Sequence, residues 1–267
     1  MKHKKNKTRA GILAVILVLA AAVIFFAKLY PIALVGGNFV PLKVWEQDWA
    51  LAQKLDPSST KQQVFDQFIL NQKKAQLVSN LRLADNNSFQ DEWVFYKTGN
   101  EAAYNKLISD YFSGDENLFE ENVVQPQALD ALLRVKYNSN FAANNDAYNK
   151  AENILTKLSQ GQSFDDLALQ YSDDKVSGQL GGDIGFVSAN QVLPELKKTI
   201  QGAKLGEVNK QVIVSRQGYH ILFPVEQSDN NGQKLYHIKQ ILIQTTGYDD
   251  WLSQQLQTIG THQLMKI

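Results

Sequence analysis

The sequence predicts an α+β fold, and three observations carry that prediction. Much of the first half repeats apolar residues at helical spacing, as in Val64, Phe65, Phe68, Ile69, Leu77, Val78 and Leu81. From Gly161 to Phe223, short helical runs alternate with the cluster Gly181-Gly182-Asp183-Ile184-Gly185 and with β-rich runs such as Val212-Ile213-Val214. A second β-rich run, Leu235 to Ile243, precedes one more helical stripe containing Trp251, Leu252, Leu256 and Ile259.

Residues 1–9 form a basic tail with Lys2, Lys4, Lys5, Lys7 and Arg9, and no acidic residue comes before Glu46. Ala10 to Ala27 carries no charged or strongly polar side chain; at 18 residues it is near the lower limit for a bilayer-spanning helix. The expectation is a transmembrane anchor over residues 10–30, with the N-terminus inside and the bulk of the chain outside the cytoplasmic membrane. A cleaved signal peptide is the rival, because Ala20 and Ala22 have the small-residue spacing. Val23-Ile24-Phe25-Phe26 would then open the mature chain, and the apolar run exceeds a usual signal core, so the anchor is preferred. The chain has 27 basic and 27 acidic residues; without the five of the tail the balance is 22 against 27, near −5. That argues against a nucleic-acid partner. There is no cysteine, so disulfides, thiolate chemistry and lipid attachment through cysteine are excluded.

Residues 31–130 read as a mainly helical module. Ile32 to Val40 predicts a short strand, a Gly36-Gly37 turn and re-entry, and Val44 to Leu55 a helix. Ser58-Ser59-Thr60 can cap a helix running to about Leu83. Further helices are expected at Asp91–Tyr96, Glu101–Phe112 and Pro126–Leu133, the last with Pro126 in its first turn. Beyond them, Asp146 can cap a helix to Ser159, Phe164–Tyr171 carries a buried stripe, and a helix is expected over Gln191–Gln201. Gly218-Tyr219-His220-Ile221-Leu222 reads as a strand. Residues 229–267 supply a turn at Ser228–Lys234, the strand Leu235–Ile243 and a helix Asp249–Ile259, which is expected to pack on the helical module.

Four motifs in order carry a resemblance. They are G-x-x-F-x-x-L-A-x-x-Y-S-x-D from Gly161 to Asp174, G-G-D-I-G from Gly181, Q-V-x-P-x-L from Gln191, and G-E-V at Gly206 followed by G-Y-H-I at Gly218. The chain resembles the parvulin (PpiC) peptidyl-prolyl cis-trans isomerases over residues 131–228, about a third of its length. The Ile32–Val40 stretch resembles the opening of SurA/PrsA-type chaperone isomerases, with Gly36 where Asn is usual. Phe119-x-x-x-Val123-Val124-x-Pro126 resembles the stretch before their isomerase domain. The resemblance implies a four-stranded antiparallel sheet wrapped by helices, with Arg134–Tyr137 as its first strand. It also implies an extracytoplasmic activity on unfolded or proline-containing exported polypeptides, with no cofactor.

Prolyl isomerisation needs neither a covalent step nor a proton transfer. The barrier, about 18–20 kcal/mol, is amide resonance. A catalyst must therefore bind the twisted bond better than either planar form. The resemblance assigns the last-strand histidine to His220, the Cys/Asp position to Asp174 and the hydroxyl to Ser215. The first-strand histidine falls on Tyr137, and the proline slot on Val192 and Leu196, with Phe186 beside them. Tyr137, Val192 and Leu196 depart from the family pattern of His, Met and Phe, which implies weakened activity or a domain kept for peptide binding. His220, His237 and His262 lack zinc-ligand spacing. No nucleophile elbow surrounds Ser215, which argues against a hydrolase triad with His220 and Asp174. His237 reads as structural. Two function classes stay open: an anchored isomerase, and a chaperone whose isomerase domain has lost its activity.

Overall fold

The computed structural model describes residues 23–85, 87–230 and 232–266. Most of the expected anchor lies outside them. Among the described residues, no helix is long and apolar enough to cross a membrane. The chain divides into two compact units, Met1–Leu77 with Leu256–Ile267, and Val78–Gln255.

In the first unit, β1 (Pro31–Val35) and β2 (Asn38–Pro41) form an antiparallel hairpin. Gly36 and Gly37 both have positive φ, the requirement of the two-residue turn that matches strand twist. After α1 (Leu42–Leu55) comes α2 (Lys61–Leu81). Thr60 starts α2 with a capping box: its Oγ1 accepts from the Gln63 N–H at 3.2 Å, and its own N–H donates to Gln63 Oε1 at 2.9 Å. Trp45, Phe65 and Phe68 interlock in the core with Ile32, Val35 and Val40. Ile259 joins that core, and β7 (Thr261–Gln263) completes a sheet of order β2-β1-β7.

The second unit begins with α3 (Ser88–Gly99) and α4 (Glu101–Phe112), the latter capped by Asn100, whose side chain accepts from the Ala103 N–H. A short α5 (Glu116–Phe119) runs through a π turn, Glu120–Val124, into α6 (Gln125–Asn138). Phe119 is the buried hub, meeting the rings of Tyr96, Tyr104 and Phe112 edge-on. Next come α7 (Asn145–Ser159), α8 (Phe164–Tyr171) and the one-turn α9 (Lys175–Gly178). The rest is β3 (Asp183–Ser188), α10 (Pro194–Gln201), β4 (Ile213–Ser215), β5 (Gly218–Asn230), β6 (Gln233–Gln244) and α11 (Tyr248–Gln257). The four strands form one antiparallel sheet in the order β3-β6-β5-β4.

Arg134–Tyr137 is not a strand. It is the last turn of α6, because the run Ala128, Ala131 and Leu133 buries a helical face and Arg134 Nε pairs with Asp130 one turn back at 2.7 Å. Four alternating residues cannot override that context. The strand that joins β5 to β3 is instead β6, which follows β5 in the chain and lies beyond residue 228. The C-terminal stretch therefore divides. Its strand is central to this sheet, and only Leu256–Ile267 groups with the N-terminal residues. Trp251 meets Tyr137 and Tyr248.

Both faces of the sheet are covered. Tyr219, Ile221, Ile241 and Ile243 pack against Ala151, Ile154, Phe164 and Leu167 of α7 and α8. On the opposite face, Leu222 and Ile238 pack against Val192, Leu196 and Ile200. Two glycines are fixed by close approach to β6. A Cβ on Gly182 would lie 2.5 Å from the Gln240 carbonyl oxygen, and one on Gly218 2.3 Å from that of Ile243.

Candidate active site

Strand alternation puts His220 and Leu222 of β5 on the same face as Ile238, Gln240 and Leu242 of β6. His220 is 1% exposed. Its Nε2 lies 2.8 Å from Ser215 Oγ, which also accepts from the Gln217 N–H at 3.0 Å in the β4–β5 turn. Its Nδ1 lies 3.3 Å from Gln240 Oε1. The Gln240 amide nitrogen donates to Asp174 Oδ2 at 2.9 Å. So His220, Ser215 and Asp174 are brought together, with Asp174 reaching the imidazole through Gln240.

The Ser172-Asp173-Asp174 loop is stitched to β6. The Asp173 N–H donates to the Leu242 carbonyl at 2.7 Å, and the Leu242 N–H donates to Ser172 Oγ at 3.2 Å. On the same edge of β6, the Gln240 N–H donates to the Gly182 carbonyl at 2.8 Å. Asp174 then caps α9, accepting from the Val176 and Ser177 N–H groups, and Ser177 Oγ donates to its Oδ2 at 2.5 Å. Burial alone would raise the Asp174 carboxyl, but donation from Ser177, Gln240 and Val176 outweighs it and holds the pKa below the usual range. Burial pushes the His220 imidazole down to about 4, against a smaller upward pull from Gln240 and Asp174. At neutral pH the site is an uncharged imidazole beside a carboxylate.

Tyr137 is elsewhere. Its hydroxyl donates to the Thr246 carbonyl at 2.5 Å, and its ring packs on Tyr248 and Trp251. It sits on a helix, so it cannot stand beside His220 as a neighbouring-strand residue. Val192 and Leu196 are 8% and 4% exposed and pack with Leu222, Tyr236 and Ile238, on the His220 face. Phe186 does not join them. It pairs across strands with His237, stacks on that ring at 5.0 Å and is 48% exposed; alternation along β6 puts both on the face away from Gln240. His237 Nε2 lies 2.9 Å from Asp183 Oδ1.

Sequence reasoning missed Gln240 and Ser177. A signal for Gln240 exists: it stands in the β-rich run Leu235–Ile243, whose alternation puts it on one face with Ile238 and Leu242. Ser177 has none beyond its place three residues after a cap.

A four-stranded antiparallel sheet carrying Ser215, His220 and an Asp174-held side chain on one face is the arrangement that the parvulin resemblance implies. Residues 132–224 match the family Rotamase, the PPIC-type PPIASE domain. The chain is similar to the foldase protein PrsA 1 of Bacillus cereus, with 30% identity over 140 residues, 49% of this chain and 48% of the relative. It is also similar to the chaperone SurA of Nitrosococcus oceani, with 27% identity over 126 residues, 47% of this chain and 28% of the relative. It thus spans about half or less of the length of these relatives. Among solved structures, the peptidylprolyl isomerase PrsA of Bacillus anthracis is 17% identical, with 70% of this chain and 83% of that chain covered and a TM-score of 0.24.

Proposed function

We propose that the chain is an extracytoplasmic foldase whose rotamase domain rotates X–Pro bonds in exported polypeptides. The observation that carries this reading is the Ser215–His220–Gln240–Asp174 chain of hydrogen bonds on the sheet face that also holds Val192 and Leu196. Val192, Leu196 and Leu222 supply an apolar wall for a proline ring. The neutral imidazole and hydroxyl supply a polar floor that needs no charge to work, suited to an amide that loses polarity as it twists. No proton need leave the enzyme.

A protease-coupled assay on the full chain tests the reading. His220→Ala is expected to lower kcat/KM about tenfold, equivalent to about 1.4 kcal/mol of transition-state stabilisation. The wild-type rate should be level from about pH 6 to 8, because an imidazole pushed down to about 4 stays neutral throughout. A second reading, a chaperone without isomerase activity, is favoured by closure: His220, Val192 and Leu196 are all buried, so a proline ring enters only if the Val192–Leu196 segment moves. A wild-type rate no faster than the uncatalysed one, with client aggregation still suppressed, selects that reading.

The basic tail and the apolar run Ala10–Ala27 support a single-pass anchor with the N-terminus inside. Protease added to intact spheroplasts should then degrade the Gly161–Phe223 region. Protection of that region would reverse the proposed topology.

A further inference from the structure

Gln240 stands between His220 and Asp174, and a chain of obligatory donors and acceptors fixes what that glutamine does. Asp174, held ionised, can only accept, so the Gln240 atom 2.9 Å from Oδ2 is its amide nitrogen. The amide oxygen must then face His220. That oxygen accepts and cannot donate, so His220 Nδ1, 3.3 Å away, carries the ring proton. A neutral imidazole has one proton, which leaves Nε2 bare. The Ser215 hydroxyl donates to it at 2.8 Å, while Ser215 Oγ accepts from the Gln217 N–H. Every link from the Gln217 backbone to Asp174 is satisfied, and every one points a single way.

We infer that Gln240 is a positioning residue that locks His220 in the Nδ1-protonated tautomer and fixes the direction of the whole hydrogen-bond chain. This rests on the proposed rotamase reading of the site. The chemistry explains why a glutamine can stand there. A neutral imidazole offers one donor and one acceptor, and so does a carboxamide. The carboxamide, however, can neither exchange its donor for its acceptor by moving a proton nor acquire a charge. A site with two imidazoles can run its hydrogen bonds in either direction; this one runs them in one. The residue reaches the site from β6, which enters the sheet after β5, so the carboxamide and His220 belong to one hairpin with Leu222 opposite Gln240.

The test is a long-range 1H–15N correlation spectrum of the full chain labelled at histidine, near neutral pH, with His220 assigned by loss of its signals in His220→Gln. The expected result is a single tautomer, with a protonated Nδ1 and a bare Nε2. Gln240→Met keeps the length of the side chain and removes both hydrogen bonds. In that variant the two ring nitrogens should move toward averaged shifts, and kcat for an X–Pro peptide should fall about tenfold with KM little changed. Gln240→His, which restores a donor and an acceptor, should recover most of that rate. An Nε2-protonated or averaged His220 in the wild type overturns the inference whatever the activity. A locked tautomer in a chain with no measurable isomerase activity leaves the geometry standing and removes the rotamase reading instead. If Gln240→Met fails to fold, the wild-type spectrum alone decides. A Gln240→Met rate equal to wild type, in a folded protein, also overturns the positioning role.

Discussion

A chain ending at Asn230 is expected to lose the cooperative unfolding transition of its second unit. The truncation keeps every motif from Gly161 to Phe223 and the whole of the family match at residues 132–224. It removes β6, the inner strand that joins β3 to β5. Ile238, Ile241, Leu242 and Ile243 go with it, all buried. At about 1.5–3 kcal/mol for each fully buried aliphatic side chain, their loss is on the order of 6–12 kcal/mol, comparable to the roughly 5–15 kcal/mol that stabilises a whole domain. The hydrogen-bonding edges of β3 and β5 would also be exposed where β6 now pairs with both. Circular dichroism of the truncated chain during heating should show no sigmoidal transition from the α/β sheet unit, and Tyr219 fluorescence should not report a buried ring. The graded version, Ile241→Ala in the full chain, should cost about 2–5 kcal/mol in denaturant unfolding. A truncated chain that melts as sharply as the intact one would mean that the sheet closes without β6.

That expectation marks where sequence reading succeeded and where it stopped. Locally encoded features were legible. The capping stretch Ser58–Thr60 before α2, the Gly36-Gly37 turn and the bounds of α8 and α4 all follow from residues within a turn of one another. Strand membership is not local. Arg134-Val-Lys-Tyr and Leu235-Tyr-His-Ile both suit a strand in isolation. Only the sheet decides between them, through the backbone approaches at Gly182 and Gly218 that lead to β6. The three polar residues read as converging at the site do converge, because Asp174 and Ser215 flank motifs whose spacing fixes them against the sheet. Tyr137 is assigned by resemblance to a strand that is a helix, so its misplacement follows from that single error. Phe186 fails for a subtler reason: a register irregularity between Asp183 and Phe186 changes the pairing along β3. No composition rule announces such an irregularity.

The second large effect is expected at Arg216, one residue from Ser215. Its guanidinium is bidentate on Glu92 of α3, Nη1 to Oε1 at 2.7 Å and Nη2 to Oε2 at 2.6 Å, and its Nε donates to Glu195 Oε1 of α10 at 2.9 Å. Glu92 is only 2% exposed. Burial alone would lower the Arg216 pKa, but the two carboxylates hold it above its ordinary value, so the charge persists in the folded state. The pairing draws together α3, α10 and the β4–β5 turn, assisted by Thr98 Oγ1 donating to the Asn190 carbonyl at 2.8 Å. Glu92→Leu removes the doubly bonded partner and leaves Arg216 with Glu195 alone in a mostly buried setting. Breaking a buried pair in this way costs about 3–5 kcal/mol. For a unit of this size that lowers Tm on the order of 10 °C. Replacing Arg216, Glu92 and Glu195 together by Met, Leu and Leu should recover much of that loss, because the charges that need one another leave together. The turn holding Ser215 loses its anchor in either case, so kcat for an X–Pro peptide should fall in the triple variant even where Tm returns. Calorimetry of the two variants beside the wild type decides it: a Glu92→Leu chain that melts with the wild type would show that the triad contributes nothing to the fold, and a triple variant no better than Glu92→Leu would locate the loss in packing rather than in an unpaired charge.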